Sequence, residues 1–182
     1  MTSKDPRGVE RPDEGRDQRP GGVTALAEDC LEQWRELAAR SVTRGELVGF
    51  HTRHKFLILA HDERCYRRLG PIVAAPGTAV WSDILARYGD TLRAALARTP
   101  TRGSHVNVLQ HLAGMCKSRL SRAQRDLLAE AITDYAAGRR PLDPVRALLA
   151  DLAESSGCTY VAGQSYLAVR LPGSIPRGGS TE

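Results

Sequence analysis

Glu46-Leu-Val-Gly-Phe-His-Thr-Arg-His-Lys-Phe-Leu-Ile-Leu-Ala-His-Asp62 decides how the rest of the chain is read. Three residues before it begins, Thr43 completes a T-x-x-E pattern with Glu46. In that pattern the Thr hydroxyl accepts the Glu46 amide, and the carboxylate reaches back to the Thr43 N–H. At about 100° per residue Leu47, Phe50, Leu57 and Ile58 share one stripe, and His54 and His61 fall on it as well. His51, Arg53 and Lys55 lie at the edges of the stripe or beyond. The spacing predicts a helix from Thr43 to His61 that packs along one side and meets something polar along its margin.

Outward from this stretch the periodicity stays helical. Leu26, Cys30, Trp34, Leu37 and Ala38 recur at helical spacing over Thr24–Arg40. Asp62 is placed to cap a short continuation through Tyr66 and Leu69, interrupted by Gly70-Pro71, and the cluster Ala75–Thr78 reads as a turn. Val80–Ala97 puts Trp81, Ile84, Leu85, Tyr88, Leu92 and Leu96 on one face. A basic, flexible loop is expected over Arg98–Ser104, then a helix over Ser104–Leu120. Ser121 and Gln124 form a second capping box for a helix to Ala137, with Gly138 at its C′ position. Asp143 reads as an N-cap with Pro144 at the first helical position, opening a helix through Leu152. No strand pairing is evident. The expected fold is all-α, a compact single-domain bundle of six or seven helices.

The chain has 182 residues, 41% of them hydrophobic, which suffices for one core. It has no run of about 18 apolar residues for a membrane span. The charged N-terminus does not read as a secretion signal, so a cytoplasmic location without membrane contact is expected. The four cysteines, Cys30, Cys65, Cys116 and Cys158, are far apart with no C-x-x-C, which suits reduced thiols rather than a cluster or a disulfide framework. A net charge of +5 favours an anionic partner. Aromatic content of only 5% argues against a stacking platform for single strands and for recognition of structured RNA by charge and shape.

In the helix over Ser104–Leu120, Asn107, Gln110, His111, Gly114 and Ser118 share a polar face with Lys117 at its edge. Donors around a bare glycine suit a phosphodiester or a ribose; a solvated face is the plain alternative. His54 and His61 carry the same ambiguity, since an imidazole on an apolar stripe also serves as a hydrogen-bonded core residue. Arg53 and Lys55 are either surface charges or a phosphate clamp, and Arg102, Arg119, Arg122 and Arg125 extend the positive surface. Gln164 and Tyr166, in a glycine-flanked segment, are candidates for a polar or stacking contact, whereas Tyr135 belongs with Leu128 and Ile132 in the core. H-x-x-H spacing without a carboxylate or thiol in register makes no metal site, and no nucleophile motif or phosphate-binding loop is present.

Four ordered blocks carry a family resemblance. Phe50-His-Thr-Arg-His-Lys through Ala60-His61, His105-Val-Asn-Val-Leu-Gln-His-Leu-Ala-Gly114, the Tyr135, Gly138, Pro141 and Leu142 set, and Gln164-Ser-Tyr-Leu167 resemble the signatures of the YbgA-like family, a domain of unknown function. The resemblance runs from about Thr43 to Leu167. In many members the domain follows a thiouracil or thiouridine desulfidase domain with an iron–sulfur cluster, whose ligands are not evident here. The resemblance implies that the domain's task there is to hold tRNA. The resulting division is a disordered tail over 1–22, an extra amphipathic helix over 23–42, the YbgA-like helical domain over 43–171 and a frayed end over 172–182.

The functional expectation is an RNA-binding module for tRNA or another structured RNA, linked to thiolated-nucleoside metabolism. Its contact surface would comprise His51, Arg53, His54, Lys55, His105, Asn107, Gln110, His111, Lys117, Gln164 and Tyr166. No cofactor, metal or catalytic residue is expected. The alternatives are an acid–base enzyme acting on a nucleotide or modified base through the His, Asn and Gln cluster, and an interaction partner of a separately encoded desulfidase.

Overall fold

Local capping chemistry sets where most of the helices begin. In the computed structural model, which describes residues 22–168, α1 spans Val23–Ala38 and α2 spans Arg44–His61. Thr43 caps α2, its hydroxyl accepting the Glu46 amide at 3.3 Å while the Glu46 carboxylate accepts the Thr43 amide at 2.8 Å. The bonds that the Glu46 carboxylate accepts from the Thr43 amide, the Thr43 hydroxyl and Arg40 hold it down to about 2, the backbone bond being the largest cause. Asp62 ends α2 and caps α3 (Glu63–Val73) by accepting the Cys65 amide. Then come α4 (Trp81–Leu96), α5 (Arg102–Cys116), α6 (Arg122–Ala136) and α7 (Leu142–Ser155). A single-turn α8 (Thr159–Ala162) and a 3-10 turn over Ser165–Leu167 close the described chain. The all-α expectation holds, with a short eighth α-helix added to the predicted count. The tail over 1–22 (Gly22 apart) and the end over 172–182 lie outside the described residues.

Several boundaries differ from those the sequence predicts: the helix expected to reach Leu120 ends at Cys116, and the one expected to end at Leu152 runs to Ser155. Pro71 does not interrupt α3, because it falls in the last turn, where one lost i→i−4 bond is tolerated. The predicted loop before α5 ends at Thr101, since Thr101 and Ser104 form a reciprocal box with serine in the usual Glu/Gln position. Asp143 is not the N-cap of α7. Pro141 holds that position in extended geometry, and the Asp143 carboxylate instead accepts from Arg146 at 2.6 Å.

α2 is the centre of the bundle. α1, α3 and α4 pack on one part of it, and α5 and the closing 3-10 turn on another, with α6, α7 and α8 completing the second group. The helix expected to be an addition, α1, is built into the core through Leu26, Cys30 and Trp34. The Trp34 ring packs against Phe50 of α2 and Tyr88 of α4 at centroid distances of 5.5 and 4.9 Å. Gly89 makes that approach feasible, because a Cβ there would lie 2.7 Å from Trp34 Nε1. Gly138 adopts φ +75° after α6, as its predicted C′ role requires.

Candidate functional site

The predicted site residues divide by where α2 and α5 bury them. His54 on α2 and His105 on α5 are interior, and so are Gln164 and Tyr166 in the closing segment. None of these four lies on an outer surface, which corrects the expectation for them. The reason is packing: Gln164 and Tyr166 fold back so that the 3-10 turn covers α2 and α7. Tyr166 is fully buried, its hydroxyl 3.0 Å from His105 Nδ1. Gln164 donates to the Tyr160 carbonyl.

Arg146 is the residue that the sequence reading missed. It is 1% exposed, donating from Nε to the Tyr166 carbonyl at 2.7 Å and from one terminal nitrogen to the Ala168 carbonyl at 2.8 Å. Its guanidinium also lies 5.4 Å from the Tyr166 ring centroid. It straps the closing segment to α7. Its local spacing offers only the Asp143 carboxylate three residues away, and the carbonyls that pin it come with the return of the closing segment.

The other histidines take different roles. His61 Nδ1 donates to the Arg98 carbonyl at 2.6 Å, and Arg98 pairs with Asp62 at 3.1 Å, so the α4–α5 loop is docked on the end of α2. His51 Nδ1 lies 3.2 Å from the Tyr88 hydroxyl. His54 has no hydrogen-bond partner at either ring nitrogen among the described residues. Burial is the main cause holding His51, His54 and His105 down to about 4, so all three are neutral near pH 7. His111 is exposed.

The α2 cations do not form one clamp. Lys55 places Nζ 5.2 Å from the Tyr160 ring centroid of α8. Arg53 is exposed on another margin and lines a cleft between α1 and α2.

α5 and α6 enclose a groove of about 320 Å³. Gln110, Gly114 and Lys117 of the predicted polar face line it from α5, and Arg125 and Thr133 from α6. Ala113, Leu128, Ala129 and Ile132 give it an apolar floor. A Cβ at Gly114 would meet nothing within 4 Å, so the glycine leaves the groove open rather than serving a tight helix contact. Neither the groove nor the α1–α2 cleft, which measures about 470 Å³, contains residues from both predicted segments. Each depression draws on one of the two predicted segments: Arg53 and His54 line the cleft, and Gln110, Gly114 and Lys117 line the groove.

Among the described residues, no group of three or more His, Cys, Asp or Glu is placed to hold a metal ion. No helix there is long and apolar enough to cross a membrane. Cys30 and Cys116 are buried, their thiols pushed up to about 12 chiefly by desolvation. Neither is a nucleophile at neutral pH.

Residues 55–169 match the family described as "Protein of unknown function (DUF1722)". The chain is 31% identical over 128 residues to "Uncharacterized protein YbgA" of Escherichia coli (strain K12), covering 69% of this chain and 75% of the relative. No solved structure matches it. The match spans well over half of the 182 residues and the four blocks fall in order, so the chain belongs to the YbgA-like family, DUF1722.

Proposed function

We propose that the protein is an RNA-binding module for a structured RNA such as tRNA, and that the α5–α6 groove is its contact surface. The observation that carries this reading is the groove's cationic pair, Lys117 on α5 and Arg125 on α6. Neither is ion-paired among the described residues, so both are available to phosphate oxygens. Gln110 supplies an amide beside them, and Gly114 allows a ribose–phosphate backbone to approach the helix. Asn107 and His111 share the α5 face with Gly114 and extend the polar contact beyond the groove. The net charge of +5 steers an anionic polymer toward such a surface. This reading places the protein in the cytoplasm.

Titration of labelled tRNA at several salt concentrations tests the reading. The logarithm of affinity should fall linearly with the logarithm of salt, losing about 0.7–0.9 per phosphate contact per decade. Lys117→Gln and Arg125→Gln should each weaken binding and reduce that slope by about one contact. Affinity that ignores salt, or that both substitutions leave unchanged, would sink the proposal.

A further inference from the structure

The cleft between α1 and α2 has a composition unlike that of the α5–α6 groove. His54 forms part of its wall with both ring nitrogens unpartnered, although the residue is only 1% exposed. A buried polar group without a partner is costly and uncommon. The imidazole is neutral near pH 7, so it carries one N–H donor and one acceptor nitrogen. The half-buried Phe50 ring stands beside it at a centroid distance of 4.4 Å, giving the cleft an aromatic wall. At the rim Arg53 is an exposed guanidinium with no ion-pair partner among the described residues. Glu36 and the Glu46–Arg40 pair line it too. Nothing lies within 4 Å of a Cβ built at Gly49, so the α2 side is open.

We infer that this cleft binds one nucleoside monophosphate unit. The heterocycle lies along Phe50, a ring atom hydrogen-bonds to His54, and the phosphate sits on Arg53. The mixed-sign rim argues for this class. A single unpaired guanidinium suits one anionic group, and the carboxylates of Glu36 and Glu46 beside it can accept sugar hydroxyls. A neutral imidazole discriminates by donor and acceptor position rather than by charge, which suits the polar edge of a heterocycle. Both His54 nitrogens are buried in this conformation, so engagement requires the cleft wall to shift locally. The unit is either a free mononucleotide or an unpaired nucleotide of an RNA chain. This site does not use Lys117 or Arg125, so its failure and that of the RNA-binding reading are separable.

The test is calorimetric titration of the full chain with AMP, CMP, GMP, UMP, inorganic phosphate and a short oligouridylate, together with long-range nitrogen NMR of the His54 ring. At least one monophosphate should bind saturably and shift a His54 nitrogen, while phosphate alone binds more weakly. Arg53→Gln should weaken binding about tenfold or more, as loss of a charge-assisted phosphate contact does. Gly49→Leu, on an exposed helix position, should block the cleft, and Lys117→Gln should change nothing. His54→Phe should abolish binding while folding normally; if that variant does not fold, Arg53→Gln and the nitrogen shifts decide. An oligouridylate that binds and shifts His54 when no monophosphate does supports the site with the nucleotide drawn from RNA. The inference is overturned if no probe shifts His54, if phosphate competes as well as the nucleotides, or if Arg53→Gln and Gly49→Leu bind like the parent.

Discussion

His105 Nδ1 and the phenolic oxygen of Tyr166 lie 3.0 Å apart in the core, joined across 61 residues of chain. Each belongs to a different motif block of the family, and the contact binds those blocks to each other rather than to a ligand. The Arg146 guanidinium, on the Tyr166 carbonyl and near its ring, completes the arrangement. Tyr166→Phe keeps the ring and deletes the hydroxyl, leaving His105 Nδ1 without its partner. Urea denaturation should show a loss of about 1–3 kcal/mol, with RNA affinity of the folded protein unchanged.

Gly89→Ala should cost about 1–3 kcal/mol by overpacking, because the new methyl would stand 2.7 Å from Trp34 Nε1. For a domain of this size each kcal/mol lowers the melting temperature by roughly 2–4 °C. Thermal denaturation followed by circular dichroism reads the shift. A melting temperature equal to the parent's would mean that α1 does not dock through Trp34 as described.

Gly114 separates folding from binding. Gly114→Ala should raise stability by roughly 0.5–1 kcal/mol, since the helix gains propensity and the added methyl meets no neighbour within 4 Å. Gly114→Leu should keep the fold and weaken RNA binding severalfold by filling the groove. Paired denaturation and tRNA titration of the two variants check both halves.

Stability should depend on pH through the buried imidazoles. His51, His54 and His105 are lowered from 6.5 to about 4 in the folded chain, with desolvation the largest cause. Between those values the unfolded chain binds more protons than the folded one, so stability rises with pH. Their contribution is fully present above about 6.5 and is lost as pH falls toward 4. Each group adds a slope of at most about 1.4 kcal/mol per pH unit. Urea midpoints at pH 7, 6 and 5 should fall in that order, and His54→Phe should flatten the series.

How much of this was legible depended on range in sequence. The boxes at Thr43–Glu46 and Ser121–Gln124 involve residues three apart, and both were readable. Thr101–Ser104 follows the same logic with a serine in place of Glu or Gln, so the start of α5 was placed late. Of the polar face read on α5, Gln110, Gly114 and Lys117 line a groove with α6, whereas Ser118 lies beyond the end of the helix. For His54 the apolar stripe left a core role open, and burial is what the structure shows; Gln164 and Tyr166 gave no local sign that their glycine-flanked segment folds back into the core. Arg146 was silent for the same reason, its carbonyl partners lying 20 and 22 residues away.

The place where the family match begins has a practical consequence. It starts at Lys55, midway along α2, whereas Trp34 of α1 and Phe50 of α2 pack against Tyr88 of α4. A cloning boundary drawn at the edge of the similarity would halve the central helix and strip an aromatic lid from the fourth. The residues matched by the family description and the packed core thus differ in extent, and a fragment taken for expression should include Val23 onward.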